Sequence, residues 1–299
     1  LNLYDLSENF IFLKNLYVNN KLPNAIILSG KKGSGKSTLI NHLMFFIFDN
    51  HNYNEKNNEL KENSLFLNQF LNNTFSNIII LQGSDYKNSK IEDVRILKKK
   101  IFQTTISDKP RFIILDDVEL FNNNSLNALL KIIEEPTRNN YFVLINNNTK
   151  TLLETVKSRC IELKVILNEK KRNNIIQSLI KKFKIELTIN YNNSHLTPGN
   201  FIKFNYVYEK NKIDVDGDFL KNLTILINLY KKDKDLMYIE IISFLTDSHF
   251  NNLSKKNTFT NEKIMEFKKF VFENINNFFL YNLNQNAVIN NISAKMNDE

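Results

Sequence analysis

The chain has 299 residues and a formal net charge of +8; it is 42% hydrophobic and 24% charged and contains one cysteine. This length suits two or three domains, and the apolar content excludes a chain that is disordered throughout. One cysteine excludes an internal disulfide framework and a cysteine cluster for zinc, while short apolar runs and the lack of a secretory signal predict a cytoplasmic protein.

The basic charge on its own does not assign a nucleic-acid partner. Excess positive charge favours binding to phosphate backbones. However, the sequence is crowded with Asn, Lys and Ile and poor in Ala, Gly and Pro, which is the composition that an A+T-rich gene produces. We therefore attribute the charge mainly to coding bias and keep DNA binding as the alternative.

The first half of the chain alternates short apolar runs with helix-length segments. The runs predict buried strands of a parallel sheet, at residues 25–29, 77–81, 111–115, 141–146 and 161–165. The intervening segments predict helices, at residues 36–48, 90–102, 125–135 and 152–158. Residues 49–61 are rich in Asn and charge and predict an exposed insertion. The alternation indicates a doubly wound α/β domain over residues 1–166.

After about residue 167 the hydrophobic period becomes helical. Six helices are predicted, over residues 169–183, 199–208, 218–231, 236–247, 261–280 and 286–296. Pro198-Gly199 interrupts this region, and residues 214–217 predict a turn. We expect a small helical domain over residues 167–210 and an all-helical C-terminal domain over residues 211–299.

A phosphate-binding loop follows the first predicted strand and opens the next helix. It matches the pattern G-x-x-x-x-G-K-[ST], with Gly30, Gly33, Ser34, Gly35, Lys36, Ser37 and Thr38 as the expected nucleotide contacts. Its glycines allow successive N–H groups to face phosphate oxygens at a helix N-terminus. Lys36 is expected to reach the β- and γ-phosphates, and the Ser37 hydroxyl to ligate Mg²⁺. The loop predicts binding of ATP or ADP with Mg²⁺.

A pair of carboxylates ends the third predicted strand. Asp116 is expected to hold the metal, as a Walker B aspartate does. Asp117 occupies the place of a catalytic base, where ATPases of the AAA+ type usually carry glutamate. Because Asp is one methylene shorter, and a misplacement of about 1 Å can cost a hundredfold in rate, hydrolysis is expected to be weak.

Four further segments together resemble one family. Residues 125–136 read S-L-N-A-L-L-K-I-I-E-E-P and predict a helix that ends at Pro136. Ser158-Arg159-Cys160 precedes the last strand, Leu22-Pro23-Asn24-Ala25 precedes the first, and Thr197-Pro198-Gly199 lies in the small helical domain. With the phosphate loop, these segments resemble the delta-prime subunits of the bacterial DNA polymerase III clamp loader, an AAA+ family.

The resemblance implies a fold, partners and roles. The fold would be an AAA+ domain, a helical lid domain and a C-terminal collar domain that assembles the loader. The partners would be the other subunits of a hetero-pentamer, the sliding clamp and primed DNA, in the nucleoid-associated replication machinery. Arg159 would be an arginine finger that acts in trans on a neighbouring ATP site. Asn146 or Asn147 would be the sensor that contacts the γ-phosphate.

Three departures from the family pattern bear on function. The four cysteines of the family's zinc module are absent, so we expect no zinc site. The position after Pro198-Gly199 is Asn200 and not a sensor arginine, which favours delta-prime over the hydrolysing gamma/tau subunit. The phosphate loop is intact, although some delta-prime members have a degenerate one.

Cys160 has no His/Asn constellation beside it, so we interpret it as a packing residue rather than a nucleophile.

Two other functions stay open at this point. A gamma/tau-like motor subunit of the same loader is compatible with the intact loop and with Asp116 and Asp117. A P-loop small-molecule kinase would share the Gly-Ser-Gly-Lys-Ser-Thr run, but the sequence shows no convincing arginine-rich lid.

Overall fold

The computed structural model describes residues 2–60, 64–85, 99, 101, 109–135, 139–192, 194–255 and 260–297. The chain forms two compact units. One comprises Leu1–Ser178 and Thr197–Asn200, and the other Leu179–Leu196 and Phe201–Glu299. The three-domain division at residues 166 and 210 stays a prediction.

The first unit is built on a parallel sheet. Its strands, in chain order, are β1 (Ala25–Ser29), β2 (Tyr53–Asn54), β3 (Glu59–Leu60), β4 (Ile78–Gln82), β5 (Arg111–Asp116), β6 (Asn140–Asn146) and β7 (Ile161–Lys164). Five of them pair in the order β4-β5-β6-β1-β7, all parallel. All five predicted strands are confirmed, each within one residue at either end. Parallel pairing brings the carboxyl ends of these strands to one edge, where the ligands of open α/β sheets bind.

Helices cover this sheet. They are α1 (Ser7–Val18), α2 (Lys36–Phe48), α3 (Leu65–Leu71), α4 (Asn123–Glu134) and α5 (Glu154–Lys157). Helix α6 (Glu169–Phe183) follows β7, begins in the first unit and ends in the second. The helix predicted over residues 90–102 lies outside the described residues, apart from Lys99 and Ile101. Helix α1 was not predicted, because apolar residues such as Ile11 and Phe12 lie on its exposed side and blur the helical period.

Alternate side chains of β1 enter two hydrophobic cores, one on each face of the sheet. Ile26 and Leu28 belong to the core that also contains residues of α1, α2 and α3. Ala25 and Ile27 belong to the other core, which contains the apolar stripe of α4. Because a strand alternates its side chains, this arrangement buries β1 on both sides. A doubly wound sheet requires that burial.

The predicted exposed insertion is only partly exposed. Strands β2 and β3 form a short antiparallel hairpin, and Tyr53 is 5% exposed. Its hydroxyl lies 3.0 Å from Nδ1 of His42, a fully buried side chain of α2. The hairpin therefore anchors to the core through one aromatic residue, while its polar residues face solvent.

We expect His42 to destabilise the protein at acid pH. Burial lowers its pKa to about 4, whereas the unfolded chain titrates near 6.5. The unfolded state therefore binds more protons between these values, so the free energy of unfolding falls as pH drops from 6.5 to 4, by roughly 3 kcal/mol at the limit. Urea denaturation of His42→Phe should show a shallower acid decline than the wild type. His51→Asn, which changes an exposed histidine, should retain the wild-type decline, and an equal decline in all three proteins would contradict the assignment.

The described part of the second unit is helical. Its helices, together with the helix that leads into it, are α7 (Pro198–Lys210), α8 (Phe219–Asp233), α9 (Met237–Lys255), α10 (Asn261–Tyr281) and α11 (Gln285–Asn297). They confirm the predicted helices, although α9 extends eight residues beyond its predicted end at residue 247. Consecutive helices from α8 to α11 pack together, and α11 returns to α8. None of the described helices combines the length and hydrophobicity that a membrane span requires.

Candidate functional site

The phosphate loop joins β1 to α2 and depends on two glycines with positive φ. Gly35 caps the N-terminus of α2 at φ 96°, and a Cβ there would lie 2.7 Å from a methyl carbon of Leu6. Gly33 has φ 79°. L-residues rarely adopt this backbone conformation, so both positions require glycine. The curled loop and the first turn of α2 present backbone N–H groups at the carboxyl edge of the sheet.

Lys36 folds back over its own loop. Its Nζ donates to the carbonyl oxygens of Gly30 at 2.7 Å and Lys31 at 2.9 Å, and lies 3.5 Å from Oγ of Ser34. The side chain is buried, and this burial lowers its pKa to about 8, although Asp116, Glu119 and Asp117 partly oppose the effect. The lysine is therefore held inside the loop, where it can meet a phosphate.

The two carboxylates that the sequence predicts as a Walker B pair lie at the end of β5. Asp116 Oδ1 accepts a hydrogen bond from the backbone N–H of Asp117 at 3.0 Å. Burial raises the pKa of Asp116, as does the neighbouring Asp117, whereas Lys36 lowers it. Asp117 has φ 51°, a left-handed conformation that Asp tolerates better than most residues. Both predicted acidic residues thus lie at the edge of the sheet that carries the loop.

The amide that contacts this pair belongs to Asn147. Its Nδ2 donates to Oδ1 of Asp117 at 2.5 Å. The neighbouring Asn146 instead accepts a hydrogen bond from the backbone N–H of Asn148 at 3.0 Å. Asn146 also lines a cavity of about 420 Å³ beside Gly30. Of the two candidate sensor residues, the geometry places Asn147 at the carboxylates.

A buried carboxylate that the sequence did not single out holds the segment after β6 in place. Glu119, 7% exposed, accepts hydrogen bonds from the backbone N–H of Asn147 at 3.1 Å and from the hydroxyl of Thr149 at 2.8 Å. It lies three residues after Asp116 on the chain, and only the fold brings it to the end of β6. Glu119 therefore fixes the backbone from which Asn147 reaches Asp117.

The Thr-Pro-Gly segment lies directly on the phosphate loop. The Thr197 hydroxyl donates to the carbonyl oxygen of Lys32 at 2.6 Å, and the N–H of Gly199 donates to the carbonyl oxygen of Gly33 at 2.9 Å. A Cβ on Gly199 would lie 2.8 Å from the Gly33 Cα. Glycine at both positions is therefore what permits this close approach. The sequence contained the segment but gave no sign of the contact.

Arg159 lies apart from these residues. It follows α5 and precedes β7, and it forms an ion pair with Glu134 at the end of α4. The register pairs Ile161 of β7 with Ile26 of β1, so Arg159 is level with the start of β1. The phosphate loop begins at the opposite end, roughly 20 Å away along the strands. The fold thus brings the loop, Asp116, Asp117 and Asn147 together and leaves Arg159 at the other edge.

Cys160 packs half-buried against the core on the α4 face. Burial raises the pKa of its thiol to about 11, so the thiol stays protonated near neutral pH. A nucleophilic cysteine requires the opposite shift. The chemistry of this residue agrees with the packing role that the sequence predicts.

The residues present fit a magnesium nucleotide. The N–H groups of a curled loop and the ammonium group of Lys36 suit phosphate oxygens. The exposed Ser37 and the carboxylate of Asp116 are hard oxygen donors of the type that Mg²⁺ prefers. Thr38 follows in the first turn of α2 and is half-buried.

Comparisons with known proteins agree with the motifs. The family described as "DNA polymerase III, delta subunit" matches residues 7–168. The DNA polymerase III subunit delta' of Buchnera aphidicola subsp. Schizaphis graminum is 31% identical over 215 residues, which cover 70% of this chain and 60% of that protein. The DNA polymerase III subunit gamma of the same organism is 30% identical over 95 residues, which cover 31% of this chain and 26% of that protein. The chain thus spans at most about 60% of these two relatives.

One solved structure extends the likeness along the chain. A DNA polymerase III gamma-subunit-related protein from Thermotoga maritima aligns with 94% of this chain and 97% of its own length, with a TM-score of 0.50 and 17% sequence identity. At this identity the likeness concerns the fold alone. It confirms the predicted fold class, a P-loop α/β domain with a parallel sheet followed by helical regions.

Proposed function

The chain belongs to the family of DNA polymerase III delta subunits, and from this premise we propose that it is a delta-prime-like subunit of a bacterial clamp loader. It assembles with the other loader subunits into a hetero-pentamer and helps to load the sliding clamp onto primed DNA during replication. Its own part is structural and activating, because it donates Arg159 to the ATP site of a neighbour. It works in the bacterial cytoplasm with the replication machinery.

The position of Arg159 carries this proposal. The guanidinium lies at the amino end of β7, and the chain's own phosphate loop lies at the carboxyl end of β1. A separation of roughly 20 Å along parallel strands is too great for an arginine side chain to cross. This distance supports a role for Arg159 at a nucleotide on another subunit, where it would stabilise charge on the γ-phosphate.

Nucleotide binding by this subunit itself is part of the proposal, with weak or no hydrolysis. The phosphates would lie against Gly33, Gly35 and Lys36, and Mg²⁺ would be held by Ser37 and Asp116. Bound Mg²⁺ would neutralise charge on the phosphates. Asp117 occupies the usual position of the base, and it is shorter than glutamate.

A second candidate is an ATP-hydrolysing gamma/tau-like motor subunit. The contact between Asn147 and Asp117 favours it, because an amide next to a base carboxylate is suited to orienting an attacking water. The gamma relative that matches part of the chain points the same way.

Assembly and turnover separate the two candidates. We expect the full chain to co-purify with gamma-like and delta-like subunits of its own bacterium, and the isolated chain to hydrolyse ATP roughly a hundredfold more slowly than the complex with primed DNA. Vigorous hydrolysis by the isolated chain would favour the motor. Failure to form a complex with either subunit would overturn both candidates.

We further propose roles for the three predicted domains. Residues 1–166 bind nucleotide, residues 167–210 form the lid and residues 211–299 form the oligomerising collar. Exposed apolar side chains support the collar role: Met265 is 74% exposed, Leu280 74% and Tyr281 71%. Phe267 and Phe278 are buried within their own unit and are therefore core residues.

A further inference from the structure

The guanidinium of Arg159 is held from two sides by its own chain. Its Nε–H donates to Oε1 of Glu134, at the C-terminus of α4. Its Nη1 donates to the carbonyl oxygen of Thr155 in α5 at 2.8 Å, and lies 3.4 Å from Oγ of Ser158. The two anchors lie on different elements and use different nitrogens. Together they fix both the position and the plane of the guanidinium.

This arrangement leaves donors available for a second anion. Arginine has five N–H donors in a rigid fork, and the contacts above use those on Nε and Nη1. Among the described residues, the structure shows no hydrogen bond from Nη2. The side chain of Arg159 is 35% exposed and that of Glu134 42%. About a third of the Arg159 side chain is therefore open to solvent, and the contacts above leave Nη2 for a partner.

Stability does not account for the pair. An exposed ion pair contributes little to folding, because solvent screens the charges and both side chains lose rotamer freedom. The same loss of freedom is useful if Arg159 must meet a phosphate, since the entropy is then lost before the reaction begins. We propose that Glu134 is a positioning residue that holds Arg159 in the orientation in which it meets the neighbouring nucleotide. This inference rests on the proposed role of Arg159 in trans.

Glu134 has two opposing effects on the finger. Its negative charge weakens the attraction between Arg159 and a phosphate, whereas its hydrogen bond orders the side chain. The contact occupies only Nε, and at an exposed site the Coulomb term is small. An unrestrained arginine loses considerable rotamer freedom when it is fixed, so ordering outweighs the charge effect. Removing Glu134 should therefore slow the reaction.

The test uses the assembled loader with Glu134→Ala and a matched control, Glu135→Ala. Glu135 is the next residue and is exposed, and within the described residues it has no ion-pair partner. We expect Glu134→Ala to lower kcat of the DNA-stimulated ATPase about tenfold with KM for ATP unchanged. The kcat of Glu134→Gln should lie between those of the wild type and Glu134→Ala, since an amide oxygen still accepts a hydrogen bond from Nε. The kcat of Glu135→Ala should match the wild type. In an Arg159→Ala background, Glu134→Ala should have no additional effect.

A second measurement does not depend on activity. The ¹⁵Nε relaxation of Arg159 in the free full-length chain should report a lower order parameter in Glu134→Ala and an unchanged one in Glu135→Ala. If Arg159→Ala abolishes stimulation while Glu134→Ala leaves both kcat and the order parameter unchanged, the inference is wrong and the proposed function stands. If Arg159→Ala itself leaves stimulation intact, the proposed function fails and the positioning role fails with it.

Discussion

Arg159→Ala is expected to leave the loader assembled but to reduce its DNA-stimulated ATPase by roughly 10³, the low end of what arginine fingers contribute to phosphoryl transfer. The side chain lies at the edge of the sheet opposite its own phosphate loop, so binding of nucleotide to this subunit should not change. The loss should fall on kcat, because the finger acts on charge that develops in the transition state. Single-turnover hydrolysis in the purified complex measures the loss of rate, and size-exclusion chromatography measures whether the complex assembles.

Two further variants show whether the fork or the charge of Arg159 matters. Arg159→Lys keeps the charge and loses the planar fork, so it should recover only a small part of the rate. Lys157→Ala removes a positive charge two residues away, where the lysine pairs with Glu154 on the surface, and it should behave like the wild type. A wild-type rate in Arg159→Ala would refute the role in trans. Loss of the complex itself would instead identify Arg159 as an assembly residue.

The architecture of the first unit was largely predictable because each strand is a short apolar run between polar or turn-like segments. The run at residues 25–29 is apolar at four successive positions and stands between a turn-like segment and a glycine-rich loop, so its bounds agree with β1. The helix α3 was missed because it is short and its leucines at positions 65 and 71 are exposed. An apolar residue on the solvent side of a helix does not fit the three- and four-residue spacing by which an amphipathic helix is recognised.

The site was predictable where its chemistry is local in sequence. The phosphate loop and Asp116 belong to continuous motifs whose geometry follows from a strand, a turn and a helix. The choice between Asn146 and Asn147 is different in kind. It depends on which side chain faces Asp117 after β6 ends, and therefore on the pairing of Leu115 with Leu144. A register between strands about thirty residues apart cannot be read from either strand.

The contacts that join distant motifs could not be predicted from the sequence either. Glu134 and Arg159 are separated by 25 residues, and Thr197 contacts Lys32 across 165 residues. Each partner occurs in a segment that the resemblance singled out, yet neither segment indicates what the other touches. The resemblance singled out the candidate residues, and the fold shows which side chains they contact.

Lys36→Ala is expected to weaken nucleotide binding by roughly 10³, because it removes a buried charge that would pair with the phosphates. The wild-type lysine already lies within the loop, on the carbonyl oxygens of Gly30 and Lys31. Only a short displacement is needed to bring it to a ligand. Equilibrium binding of a fluorescent ADP analogue to the full chain measures the loss. Lys31→Ala, which truncates an exposed lysine of the same loop, is the matched control and should bind nearly as the wild type does.

Because of the same lysine, nucleotide affinity should vary with pH in the alkaline range. Burial lowers the pKa of Lys36 to about 8 in the free protein, and an anionic phosphate would raise it in the complex. Above pH 8, binding must therefore take up a proton, so affinity should fall as pH rises, by up to about tenfold for each pH unit. Titration calorimetry in buffers of different ionisation enthalpy should detect this proton uptake in the wild type and in Lys31→Ala but not in Lys36→Ala. An affinity that stays constant from pH 7 to 10 would show that Lys36 does not meet the phosphates as an ammonium group.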